Sequence, residues 1–213
     1  MKLDLPKRTV ERLSKYRRIL LGTLADGKTH IYSHELAGLL HITAVQVRRD
    51  MMLMGFSSML RKGYDVKDLI EAIGDLIDTP AGMNVAVVGL GNFGQAVTTY
   101  LQGRRPKLHI VATFDVAKEK IGRAFGGVQC YSMEELPGMI REQNIQIAVL
   151  TVPIDQAQST ALILAELGIK GILNFTTVPL HVPEDVCLEE YDMITSIEKV
   201  AYFVKHRGEC QED

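Results

Sequence analysis

Residues 83–94 read Met83-Asn84-Val85-Ala86-Val87-Val88-Gly89-Leu90-Gly91-Asn92-Phe93-Gly94, and this stretch decides the fold. The apolar run ending at Val88 has the composition of a buried parallel strand. The G-x-G-x-x-G turn behind it lets the backbone bend tightly and meet a pyrophosphate at a helix N-terminus. A glycine pattern alone serves many loops. Here it stands between that strand and a helix expected over 93–102, and Asp115 ends the next strand, 109–115, 21 residues past Gly94. An acid so placed accepts from both hydroxyls of the adenosine ribose and repels a 2′-phosphate, which favours NAD over NADP. The bland alternatives are a Rossmann-like domain that takes another nucleotide or a CoA-type ligand, and an Asp115 that is only a solvated strand end.

Downstream the pattern alternates as a doubly wound α/β sheet requires. Ser132-Met133-Glu134-Glu135 has the spacing of a helix cap, 145–151 of a strand, Asp155-Gln156-Ala157-Gln158 of a second cap, 171–175 of a further strand, and 196–206 of a last helix. Thr151-Val152-Pro153 and Asn174 fall at the carboxyl edge, where ligands of such sheets sit. They either contact the nicotinamide half or merely shape their loops. The candidate dinucleotide site is therefore Gly89, Leu90, Gly91, Asn92, Phe93, Gly94, Asp115, Val116, Thr151, Val152, Pro153 and Asn174.

Upstream the chain changes character. The net charge of -2 hides 12 Lys/Arg against 5 Asp/Glu in residues 1–64, with 12 against 21 in the rest. Such a basic front half suits a polyanion. A helix is expected over 6–24, and Ser33 is placed to cap a second. His41-Ile42-Thr43 then turns into a third helix that starts Thr43-Ala44-Val45-Gln46, a capping-box spacing in which Gln46 reaches back. Two helices so joined, with Arg48 and Arg49 on the second, fit a helix-turn-helix and its recognition helix. Residues 54–64 read as strand, tip and strand, a wing made basic by Arg61 and Lys62. The alternative is a solvated basic face on a protein–protein module. Residues 66–77 are amphipathic, and Asp78-Thr79-Pro80-Ala81-Gly82 has turn composition where the charge changes sign. The expected domains are 1–82, 83–195 and a C-terminal helix and tail over 196–213.

Cys130, Cys187 and Cys210 are scattered and lack metal-ligand spacing, which fits a reducing compartment and predicts no metal site. The basic first twenty residues lack the apolar core of a signal peptide, and no run reaches 18 apolar residues, so the expected location is cytoplasmic. A dehydrogenase needs a base or acid held on its substrate. His109, His181 and His206 lie in no catalytic context, and only 38 residues follow Phe175, which leaves the NAD-dependent oxidoreductase as the runner-up and no catalytic residue expected.

Beyond these readings, the whole chain resembles the Rex family of bacterial redox-sensing repressors. The resemblance is carried by Arg12-Leu13 with Tyr16-Arg17-Arg18-Ile19-Leu20, Ser33-His34-Glu35-Leu36-Ala37, Gln46-Val47-Arg48-Arg49-Asp50 and Gly63-Tyr64 in the front half. It continues in the glycine turn, Phe114-Asp115-Val116, Leu150-Thr151-Val152-Pro153, Ala157-Gln158 and the specific run Gly168-Ile169-Lys170-Gly171-Ile172-Leu173-Asn174-Phe175. It implies an N-terminal winged helix, a Rossmann domain and a C-terminal helix exchanged between the subunits of a homodimer. It also implies binding to palindromic double-stranded operator DNA, through Arg12, Thr43, Gln46, Arg48, Arg49, Arg61 and Lys62, with release when NADH replaces NAD. By position, Arg18, Tyr100 and Asp192 match the polar trio that rearranges between the family's bound states. The chain departs from the family at Ser58 and Arg61, where glycines are common, at Thr176-Thr177 in place of Ala-Pro, and at Met193 in place of an aromatic residue.

Overall fold

A computed structural model describes residues 5–57 and 62–206. The chain divides into two compact units, Met1–Pro80 and Ala81–Asp213. The first holds α1 (Lys7–Ala25), β1 (His30–Ile31), α2 (Ser33–Leu40), α3 (Ala44–Leu53), β2 (Tyr64–Asp65) and α4 (Val66–Ile77). Its core is the apolar face of each helix: Leu13, Tyr16 and Leu20 from α1, Leu36 from α2, Val47 and Met51 from α3, Leu69 and Ile73 from α4. These lie at the i, i+3, i+4 and i+7 spacings that put residues on one side of a helix.

The helix caps of this unit fall partly off their expected positions. Ser33 is the first residue of α2, whose N-cap is Tyr32, and Glu35 takes the Tyr32 amide at 2.8 Å. Thr43 does cap α3, accepting from the Gln46 amide at 3.1 Å. The Gln46 side chain does not reach back: it donates to Asp50 at 3.0 Å, because a buried carboxylate one turn on is the more demanding partner. No strand forms over Met54–Ser57, where α3 ends in a turn at Gly55. Tyr64–Asp65 instead pairs antiparallel with His30–Ile31. Arg61, one of the two basic residues of the expected wing, and Ser58, where the chain departs from the family, lie outside the described residues.

The second unit carries β3 (Met83–Val88), α5 (Asn92–Leu101), β4 (Leu108–Asp115), β5 (Ala124–Phe125), β6 (Val128–Ser132), α6 (Leu136–Glu142), β7 (Ile145–Leu150), α7 (Ile154–Glu166), β8 (Gly171–Asn174), β9 (Cys187–Glu190) and α8 (Met193–Lys205). Its strand order is β5-β6-β4-β3-β7-β8-β9, with every pair parallel except β5·β6. Without the antiparallel edge strand β5 this is the 3-2-1-4-5-6 order of a dinucleotide-binding sheet, which reverses between β3 and β7. The period-two geometry of β3 serves both layers. Ala86 and Val88 join Phe114, Leu136 and Ala161 on one face, while Val85 and Val87 join Leu90, Ile110 and Val149 on the other.

Two expected caps of this unit shift. Ser132 ends β6 and α6 starts at Leu136, although Glu135 still takes the Ser132 amide at 2.8 Å. Asp155 sits inside the first turn of α7, whose N-cap is Pro153. The last helix starts three residues before the expected Ser196, at Met193. It has no buried residue, and Ile197, Val200 and Val204 are 69%, 60% and 68% exposed.

Candidate functional site

The glycine turn lies at the carboxyl end of β3, at the switch point of the sheet, and the structure shows what each glycine does there. Gly89 has φ +95°, and a Cβ on it would come within 2.7 Å of the Thr151 carbonyl oxygen. A Cβ on Gly94 would overlap the Gly89 carbonyl and lie 2.8 Å from Thr151 Oγ1. Around Gly91, by contrast, a Cβ would meet nothing within 4 Å. Two glycines close the turn against β7, and the third leaves its outer side open.

Neighbouring groups hold this shape. The Gly89 amide donates to Phe114 O at 2.8 Å, Thr151 Oγ1 donates to Gly89 O at 2.6 Å, and Gln95 Nε2 donates to Leu90 O at 3.0 Å. Gly91 is the N-cap of α5 and supplies no side chain, so the amides of the first turn are left for an anion. Beside the turn, a cleft of about 60 Å³ is lined by residues including Asp115, Val116, Val152 and Pro153.

Asp115 is only 8% exposed and already occupied. Its Oδ2 accepts from the Leu90 amide at 2.7 Å and Lys120 Nζ at 2.9 Å, and Oδ1 accepts from the Ala117 amide at 2.8 Å. Burial pushes the carboxyl pKa up, but these two amides and the Lys120 ammonium outweigh it, and the net shift is downward. A carboxylate has about four acceptor positions. Three of them are taken within the chain, by Leu90, Ala117 and Lys120.

Asn174 is 1% exposed and turned inward. Its carbonyl oxygen accepts from the Thr176 amide at 2.9 Å and hydroxyl at 2.6 Å, and its amide donates to Val178 O at 2.9 Å. Of its two readings the loop-shaping one has these bonds behind it. Sequence reasoning missed an aromatic cluster on this side. Phe175 packs on Phe93 with ring centres 5.3 Å apart and stacks on Tyr191 at 5.1 Å. Three aromatics at positions 93, 175 and 191 give no local pattern; only the sheet brings them together.

In the first unit a buried carboxylate organises the helix-turn-helix. Asp50 on α3 is fully buried, and Arg12 of α1 grips it with Nε and Nη2, both at 2.7 Å. Tyr16 Oη donates to it at 2.6 Å, alongside Gln46. Desolvation pushes the Asp50 pKa up, yet the bonds from Arg12, Tyr16 and Gln46 outweigh it and hold the carboxyl below its ordinary range. Burial beside Asp50 in turn drives the Tyr16 phenol well above its ordinary value. Arg12, expected on DNA, thus spends three of its five hydrogens inside the unit, two on Asp50 and one on Thr9 Oγ1 at 3.2 Å. Arg48 donates to Ser33 Oγ at 3.2 Å and ties α3 to α2. Arg49, Lys62 and Thr43 are exposed.

The trio divides between the units. Arg18 is exposed on α1. The Tyr100 ring lies under the Arg104 guanidinium at 4.5 Å. Asp192 caps α8, with Oδ1 accepting from the Ile194 and Thr195 amides at 2.9 and 3.1 Å. Hydrogen bonds from the Thr195 hydroxyl and amide lower its pKa.

Fold and site together define a class, a helix-turn-helix unit joined to a Rossmann-type nucleotide unit. Residues 82–178 match the family model described as "CoA binding domain", and residues 4–51 the one described as "Putative DNA-binding protein N-terminus". The "Redox-sensing transcriptional repressor Rex" of Lactobacillus acidophilus is 36% identical over 98% of this chain and 99% of its own length. Its Bacillus licheniformis counterpart is 35% identical over 95% and 94%. Among solved structures, the Rex-family repressor RSP "in complex with beta-NAD+ and operator DNA" shares 30% identity, with a TM-score of 0.86 over 98% of this chain and 99% of that one. RSP has also been solved with beta-NADH, at a TM-score of 0.83. The chain belongs to the Rex family of redox-sensing transcriptional repressors.

Proposed function

We propose that this chain is a homodimeric repressor that holds palindromic operator DNA through its first unit and lets go when NADH binds its second. The observation that carries this reading is the open, uncapped turn at Gly91, in the same chain as a helix-turn-helix braced by Asp50. A pyrophosphate fits there, because the outer side of Gly91 is free of protein atoms and the α5 amides are uncapped. Gly89 through Gly94 would seat it, Asp115 and Val116 would face the adenosine, and Thr151, Val152 and Pro153 would border the nicotinamide half. Asn174 acts by shaping its loop. When bound, the dinucleotide supplies the redox state being read, since its nicotinamide differs in charge and shape between NAD and NADH.

On the DNA side, Gln46, Arg48 and Arg49 would face the major groove from α3, Thr43 and Arg12 the backbone at its edge, and Arg61 and Lys62 the wing contacts. The functional domains are 1–82, 83–195 and 196–213, and Arg18, Tyr100 and Asp192 couple them. Exposed Ile197, Val200 and Val204 support pairing through α8. The reading assigns no catalysis, because the relatives that match nearly the whole chain are named transcriptional repressors, and it places the protein in the cytoplasm with its DNA.

Ligand and operator then oppose each other by linkage: each weakens the other's binding by one shared factor, about 5- to 150-fold. A gel-shift titration on a palindromic probe at fixed salt, with NADH, NAD, NADPH and CoA in parallel, tests this. NADH should release the probe, and Arg49→Ala should lose the probe while keeping NADH. A probe affinity that saturating NADH leaves unchanged sinks the switch, and steady NADH consumption with a carbonyl substrate would restore the oxidoreductase reading.

A further inference from the structure

The cleft beside the glycine turn has a polar wall to which the dinucleotide reading gives no task. Gln156 and Thr160 both line it, one helical turn apart on the same face of α7. Asp115 and Val116 line the same cleft, and Phe114 and Met133 add apolar surface. Among the described residues, Gln156 bonds only through its main chain: the amide donates to Pro153 O at 3.0 Å and the carbonyl accepts from Ser159 Oγ at 3.1 Å. Gln158, two residues on, is fully engaged by contrast. Its Nε2 donates to His181 O at 2.8 Å, and its Oε1 accepts from the His181 amide at 2.9 Å. Thr160 is only 7% exposed, and its hydroxyl too has no partner among the described residues. A buried hydroxyl left unpaired is costly, so this wall suits a ligand that brings its own hydrogen-bonding groups.

Resting on the reading of this turn as a dinucleotide site, we infer that Gln156 and Thr160 determine base specificity by holding adenine at its amino edge. The cleft adjoins Asp115, the acid assigned to the adenosine ribose, so the base on that ribose is the part of the ligand that reaches it. Apolar surface from Phe114, Val116 and Met133 suits the faces of a flat ring, while the ring's edge needs polar partners. Adenine offers an amino donor beside a ring-nitrogen acceptor. The Gln156 carboxamide offers the complementary acceptor and donor, the pairing by which glutamine reads adenine in a DNA groove. Thr160, one turn on and more deeply buried, supplies a hydroxyl that both donates and accepts.

The test compares NADH with the analogue whose base is purine, with hydrogen in place of the exocyclic amino group, by isothermal titration calorimetry on the full-length protein. Wild type should favour NADH by about tenfold, because the analogue leaves the Gln156 carbonyl oxygen unpaired. Gln156→Leu should erase that preference by weakening NADH far more than the analogue. Thr160→Val, which keeps the shape of the side chain, should weaken NADH several-fold without lowering the melting temperature of the ligand-free protein, since the hydroxyl it removes has no partner there. Equal binding of the two ligands by wild type overturns the inference, as does a preference that survives Gln156→Leu. A melting temperature that falls in Thr160→Val overturns the part given to Thr160. A wild-type protein that binds neither ligand refutes the dinucleotide reading itself, which keeps the two failures apart.

Discussion

A carboxylate as deeply buried as that of Asp50 is costly unless every oxygen is satisfied, and Arg12, Tyr16 and Gln46 do that together. Removing the charge in Asp50→Ala leaves the Arg12 guanidinium and Tyr16 hydroxyl without their acceptor. The expected loss is about 3 kcal/mol, the low end for a broken buried pair because Arg12 keeps some contact with water. The same carboxyl gives a pH signature. Its folded pKa is depressed below the ordinary 3.8, so its contribution is complete above about pH 4 and is lost as pH falls through the lower folded value. Hydrogen exchange of α1 and α3 amides from pH 7 to pH 3 should show protection declining in that window, and the decline should vanish in Asp50→Asn. None of this was legible in the sequence. Gln46-Val47-Arg48-Arg49-Asp50 reads as a polar, DNA-facing helix, and only the crossing of α1 shows that Asp50 points the other way.

At the scale of elements, the glycine turn and its flanking β3 and α5 were readable because strand, turn and helix each carry their own local signal. The edges were not. β6 and β9 have mixed or exposed patterns, Val-Gln-Cys-Tyr-Ser and Cys-Leu-Glu-Glu, and are held by backbone pairing to β4 and β8. At five and four residues they are too short to carry a clear pattern of their own. The caps at Ser132 and Asp155 were misplaced for a related reason: polar residues suited to caps also suit strand ends and first turns. The turn itself makes a separable prediction. Gly94→Ala should lower stability by about 1–3 kcal/mol and weaken nucleotide binding, because its Cβ runs into Gly89 O and Thr151 Oγ1. Gly91→Val, which meets no protein atom at Cβ, should abolish nucleotide binding with stability held to within about 0.5 kcal/mol. Thermal melts beside NADH titrations separate the two, and equal destabilisation would contradict the division of labour drawn for these glycines.

For the whole molecule, the charge reversal near residue 80 was the strongest long-range signal, and it falls where the two compact units part. What the sequence could not convey was the state of the last helix. α8 has 13 residues, capped by Asp192 and with Lys205 in its last turn, yet it has no buried residue. A helix of that length is marginal in water without a packed face. If a second copy covers it, Ile197→Lys should shift the protein from dimer to monomer in sedimentation and strip protection from α8 amides, while the β3–β9 sheet keeps its own. Stability gained by association also depends on how many molecules are present. The consequence reaches past geometry: on dilution α8 should melt before the sheet does. A repressor built this way would register its own copy number along with the nucleotide it binds, and a cell making too little of it would hold chains with an intact pocket and no finished tail.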